Sequence, residues 1–153
     1  MLFRHFILAL LSSLLLSGCN DHGDLTGTLD AGTFTVNTPE GWQLIREAGY
    51  DSNVGRIVGP LGTIHFDQGV FSPGLDNISA NEHTISFKRI TIHDRPAILH
   101  KERTVGNDVY GKVRLTAYID EGEGMRRNRL YVYDPSPWAE TLIIEIMKTH
   151  RFK

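Results

Sequence analysis

Val113-Arg114-Leu115-Thr116-Ala117-Tyr118-Ile119 and Trp138-Ala139-Glu140-Thr141-Leu142-Ile143-Ile144-Glu145-Ile146-Met147-Lys148 repeat their apolar residues with different periods, and that difference sets the expected fold class. The first has period two. Val113, Leu115, Ala117 and Ile119 fall on one side and Lys112, Arg114, Thr116 and Tyr118 on the other, as in a strand with one buried face. The second has a helical period: Trp138, Leu142 and Ile146 form one line and Ala139, Ile143 and Met147 the next, a broad apolar stripe that must face a partner layer. Asp134-Pro135-Ser136-Pro137 separates the two regimes, with Ser136 placed to cap and Pro137 in the first helical position. Lys148, His150 and Arg151 stand at the carboxyl end, where the helix dipole favours cations.

Upstream, the strand period recurs between turn formers. Thr33 to Asn37 alternates and stops at Pro39-Glu40-Gly41-Trp42, and residues 42–48 read as a further strand. Arg56–Gly59 and Thr63–Asp67 flank Gly59-Pro60-Leu61-Gly62, a hairpin pattern, and a loop runs from Gly69 to about Asn81. Thr84–Ile92 carries Ile85 and Phe87 in one phase and Ile90 and Ile92 in the other, which predicts a bulge or a bend at Lys88-Arg89. His93-Asp94-Arg95-Pro96 turns the chain into a strand from Ala97 to Arg103. Asp120-Glu121-Gly122-Glu123-Gly124 makes a polar turn before the last strand, Arg129–Tyr133. Short connections favour antiparallel neighbours. The expectation is an α+β domain over residues 33–153: a mostly antiparallel sheet of about six strands, with a C-terminal amphipathic helix packed on one face.

The N-terminus has another character. Arg4 and His5 precede an eleven-residue apolar run, Phe6 to Leu16, too short for the roughly 18 to 20 residues that span a bilayer core. Charge, short apolar core and small residues in that order read as a signal peptide over residues 1–18. Leu16-Ser17-Gly18-Cys19 resembles the lipobox of bacterial lipoproteins. The resemblance implies a diacylglycerol (with further acylation, palmitate being typical) on Cys19, a mature N-terminus there, and a membrane anchor held by two or three chains at about 0.8 kcal/mol per buried methylene. Asn20 after the cysteine, rather than aspartate, leans the location within the cell envelope toward the outer membrane facing the periplasm. Residues 19–32, rich in Gly, Asp and Thr, read as a lipidated end and flexible spacer.

Composition bounds the rest. Cys19 is the only cysteine, so acylation would leave no disulfide, thiol nucleophile or cysteine zinc site, and stability must come from a core. Loss of residues 1–18, which hold one base and no acid, leaves 135 residues with 15 Lys+Arg against 18 Asp+Glu, a balance that argues against nucleic acid as a partner.

Phe34-x-Val36-x-x-Pro39-x-Gly41-Trp42 and Ile143-x-x-Ile146-Met147-Lys148-x-x-x-Phe152 resemble the two ends of the Mog1/PsbP-like α/β sandwich, a fold of photosystem extrinsic proteins and bacterial lipoproteins. Gly49-Tyr50-Asp51-Ser52-Asn53-Val54-Gly55 with Phe66-Asp67-x-Gly69 resembles a pattern in uncharacterised bacterial envelope proteins. These resemblances imply a sandwich fold and carry no catalytic residue across.

Several constellations carry chemistry. His65 and Asp67 share a strand face, and with His83, His93 or His100 they would form a nitrogen and oxygen set of the kind zinc accepts. The alternative is a polar strand face. Asp51-Ser52-Asn53 lacks the later ligands of a calcium loop, since Gly55 and Gly62 stand in their places, and reads as a turn. Glu121 and Glu123 flank glycine in a turn, a poor frame for paired acid and base work. No Gly-x-Ser-x-Gly, Ser-x-x-Lys or His-Glu-x-x-His pattern occurs. Tyr110, Tyr118, Tyr131 and Tyr133 fall opposite the aliphatic face, where they would either recognise a protein or sugar or lie under a second layer. The expectation is a non-catalytic binding or accessory domain on a lipid tether, with a protein partner in the envelope and no cofactor beyond the lipid on Cys19. Two alternatives are an inhibitor or immunity-type protein that neutralises a secreted toxin, and a metal-assisted enzyme built on His65 and Asp67.

Overall fold

Gly59-Pro60-Leu61-Gly62 turns the chain tightly, and the strands it joins, β4 (Asn53–Gly59) and β5 (Gly62–Gln68), pair antiparallel from Asn53↔Gln68 to Gly59↔Gly62. Around this hairpin the structure, a computed structural model, describes residues 23–69, 72–106, 111–122 and 127–153. The other elements are β1 (Gly27–Asp30), β2 (Phe34–Thr38), β3 (Gln43–Glu47), β6 (Thr84–Ile92), β7 (Arg95–Arg103), β8 (Val113–Asp120), β9 (Arg127–Tyr133), α1 (Pro137–Lys148) and β10 (Arg151–Phe152), with a 3-10 turn at Leu75–Asn77. Seven strands form one antiparallel sheet in the order β3-β4-β5-β9-β8-β7-β6, and β1-β2-β10 form a small second one.

The expected α+β class is therefore corrected to a mostly β one. Strands make up 52% of the described residues and helix 12%, with ten strands where about six were expected. Two of the additional strands are made by pairing rather than by pattern: β1 lies inside the expected spacer, and β10 is two residues that hydrogen-bond beside Phe34 and Thr35. Neither has a local apolar alternation to announce it.

The small sheet and α1 together form a layer over the inner face of the large sheet. Phe34 meets Phe66 edge-on at 5.2 Å, and Ala139, Leu142, Ile143, Ile146 and Met147 of α1 join Ile57, Ile64, Leu115, Ala117, Leu130 and Val132 in one core. Trp138 departs from the expected stripe: it is 61% exposed, while Ala139 beside it in the same first turn is buried. Glycine makes room for the aromatic rings of this layer. A Cβ on Gly59 would come within 2.2 Å of the Trp42 ring, and one on Gly55 within 2.6 Å of Phe66.

The predicted bulge is also displaced. The register shift lies between Thr84 and Ser86, and the pairing then runs unbroken through Lys88 and Arg89 to Ile92. Phe87 turns outward against His100 while Ile92 is buried inward, and Ile85, in the same phase as Phe87, stays 49% exposed. A reading that assumed one covered face had to place a bulge or a bend between the two phases. Part of the outer face is covered because the connection from β5 to β6 crosses it: the 3-10 turn sits over β8, and the Ser72 carbonyl accepts a hydrogen bond from Arg127.

Candidate functional site

Antiparallel register places direct cross-strand partners on the same face, and on the outer face of the large sheet it lines up two polar rows. One runs Arg56, His65, Tyr131, Thr116, His100, Phe87 across β4, β5, β9, β8, β7 and β6. The next runs Val54, Asp67, Arg129, Tyr118, Ile98, Arg89. The strands position each residue by parity alone. Every inward neighbour (Ile64, Phe66, Leu130, Val132, Ala117) is locked in the core, so the outward ones stand on a rigid base.

The rows divide into a covered and an open half. Under the crossing connection, Ile98 is fully buried and Tyr118 is 6% exposed, and Thr116 and His100 are buried with them. Burial pushes the Tyr118 hydroxyl above its usual range. Towards β5 and β9, Tyr131, Tyr133, His65 and Arg129 remain half-buried. There the rings stand on the sheet and touch one another: His65 stacks on Tyr131 at 5.1 Å and 15°, and Tyr133 meets Tyr131 edge-on at 5.6 Å. The Arg129 guanidinium lies 5.0 Å from the Tyr131 ring centre, and the Lys112 ammonium 5.9 Å from that of Tyr133. Burial, reinforced by the Arg56 charge, lowers the His65 pKa, so this imidazole is neutral near neutral pH. Burial raises Tyr131 against the opposing pull of Arg129.

The charges here are matched. Arg129 donates to Asp67 at 2.9 Å, Arg56 pairs with Glu47, and Arg114 places Nε and Nη2 on the Glu102 carboxylate at 3.2 and 2.5 Å. His100 Nε2 lies 3.0 Å from Thr84 Oγ1 and 3.9 Å from Glu102. The set proposed for zinc is not assembled: Asp67 is held by Arg129, His65 is stacked, His83 pairs with Glu82, and His93 sits in the β6–β7 turn. Among the described residues no group of three His, Cys, Asp or Glu comes together as a metal site. Asn53, from the rejected calcium pattern, instead donates to the Ala31 carbonyl and to Thr33, tying the two sheets. The Glu121 carbonyl accepts from Arg95. Cys19, Tyr110 and Glu123 lie outside the described residues.

Sequence reasoning set Tyr118, Tyr131 and Tyr133 opposite the aliphatic face, with Arg114 beside Tyr118, and His65 with Asp67 on one strand face, but it did not single out Arg129, Glu102 or Arg56. Parity carries Arg129 and Glu102 too, since each lies an even number of positions from a residue singled out on its own strand, and the hairpin register carries Arg56 by pairing it with His65. What sequence does not give is the order of strands. β9 lies between β5 and β8, and only that insertion brings His65 to Tyr131.

No family model matches the chain, and no curated protein does. Among solved structures, a crystal structure from Bacteroides thetaiotaomicron VPI-5482 at 1.50 Å matches with a TM-score of 0.47 and 14% identity. The match covers 80% of this chain and 46% of that one, so the chain spans less than half the length of that protein.

Proposed function

We propose that the chain is a lipid-anchored protein of the bacterial envelope, held by Cys19, whose domain binds a protein partner through the open half of the large sheet's outer face. The observation that carries this reading is the cluster of His65, Tyr131, Tyr133 and Arg129 on that face, half-buried and mutually braced. Tyrosine and arginine of this kind supply much of the energy of protein interfaces, because they bury large area at small entropic cost and keep a polar tip. Binding rather than turnover fits the charge pattern: Asp67 and Glu102 are each held by a guanidinium, and His65 lends its ring to a stack. The outer membrane, facing the periplasm, is the location we favour from Asn20.

The experiment is photo-crosslinking in intact cells from position 133, with position 40, exposed in the turn after β2, as the control. A discrete protein adduct from 133 alone supports the reading, and its identity separates an envelope assembly from a secreted toxin. Equal adducts from both positions, or none from 133, refute it. Cys19→Ala should move the protein from the membrane to the soluble fraction, and retention through a high-salt wash would refute the anchor.

A further inference from the structure

A second surface lies on the opposite side of the large sheet, along its far edge. β6 is nine residues long and pairs only with β7, so one whole row of its backbone N–H and C=O groups faces away from the sheet. The other edge differs, because β3 is short and β1 lies against it, with Arg46 reaching to the Asp30 carbonyl. Beside the β6 edge the inner layer stops short. A groove of about 480 Å³ opens between the inward residues of β6 (Ser86, Lys88, Ile90) and α1, with Leu99 and Leu115 as its floor and Ile144 on its wall.

Charge then selects what can lie there. Lys88 and Arg89, at the middle of β6, are exposed on opposite faces of the strand and have no acidic partner among the described residues. Arg89 rests only on the Phe87 ring at 5.8 Å. The two acids that line the groove are already paired, Glu140 with Lys101 at 2.7 Å and Glu145 with Lys148, itself on the groove, at 2.8 Å. A second copy pairing antiparallel through the centre of β6 would set Lys88 opposite the Lys88 or the Arg89 of the other copy, an opposition that destabilises cross-strand pairs. An extended segment with adjacent acids at its centre would instead place one carboxylate beside Lys88 and one beside Arg89, while alternate apolar side chains enter the groove.

We infer that the β6 edge and the groove beside it form a docking site for an extended, centrally acidic, β-prone segment of another protein, added as an eighth strand. Neither the tether nor the tyrosine face enters this inference.

The test uses the full chain with phosphatidylcholine nanodiscs present and two synthetic peptides, Ser-Val-Thr-Val-Glu-Glu-Val-Thr-Val-Ser and the same sequence with Lys-Lys at its centre. Hydrogen exchange of amides 84–92 should slow at least tenfold with the acidic peptide and not with the basic one, and the effect should fade as salt rises. The double variant Lys88→Glu with Arg89→Glu should invert that preference, an outcome that a merely misfolded variant cannot produce. Protection elsewhere, no protection, or equal protection by both peptides overturns the proposal. So does concentration-dependent protection of 84–92 without peptide, which would assign the edge to a second copy.

Discussion

On its inner face the large sheet sets Ile57, Ile64, Phe66, Leu115, Ala117, Leu130 and Val132 against a helix and a small sheet; on its outer face the same strands carry His65, Asp67, Arg114, Thr116, Tyr118, Arg129 and Tyr131. The inner face is held by apolar area and tight packing. The outer face is held by paired charges and ring contacts, part of it under a crossing segment and part of it open. Substitutions on the two faces should therefore fail for different reasons and by different amounts.

The largest effect belongs to the inner layer. Ile143→Asp places a carboxylate at a fully buried position in a protein whose total stability is about 5 to 15 kcal/mol, and thermal melting should lose its cooperative transition. Trp138→Asp, five residues earlier on the same helix, should shift stability by about 0.5 kcal/mol at most, since Trp138 is exposed. Equal losses would erase the distinction between the buried and exposed sides of α1.

Acid should strike from the inner side next. His150, beneath the large sheet against Phe34 and Asn128, has its pKa lowered to about 3 by burial. Its folded pKa lies below the unfolded value near 6.5, so the unfolded state binds the extra proton, and stability falls as pH drops from about 6.5 toward 3. Urea titrations across that range should show a loss of a few kcal/mol. His150→Phe should flatten the slope, whereas His65→Phe on the half-exposed outer face should change it much less. A slope that survives His150→Phe would place the acid sensitivity elsewhere.

On the covered part of the outer face, Arg114→Met leaves the mostly buried Glu102 carboxylate without its guanidinium and should cost about 1 to 3 kcal/mol. Glu102→Gln in that background should recover part of it. On the open part, Tyr131→Ala removes the His65 stack, the Tyr133 edge contact and the Arg129 contact, at about 0.5 to 1.5 kcal/mol per aromatic pair in urea unfolding, while abolishing the crosslink from position 133. A large stability loss with the crosslink intact would make the tyrosine face a structural one.

Much of this was legible in residues. The β4–β5 hairpin followed from Gly59-Pro60-Leu61-Gly62, the strand at β8 from its alternation, and α1 from a change of period after Ser136-Pro137. The class was not, because β1 and β10 owe their existence to Phe34 and its neighbours in β2, and a strand formed by a partner's hydrogen bonds leaves no periodicity of its own. The bulge was misplaced for a related reason: Phe87 and Ile92 each have cover, but on different faces, and alternation cannot say how many faces are covered.

The sequence by itself determined which side chains share a face, since parity along a strand is a local property, and so it already grouped His65 with Asp67 and Tyr131 with Tyr133. Only the tertiary structure decided that β9 enters between β5 and β8, that the β5–β6 connection roofs Tyr118 but not Tyr131, and that β6 ends the sheet beside an uncovered groove. Those outcomes depend on strand order and on the path of a long connection, which are set by the free energy of the whole assembly and by no short stretch of chain.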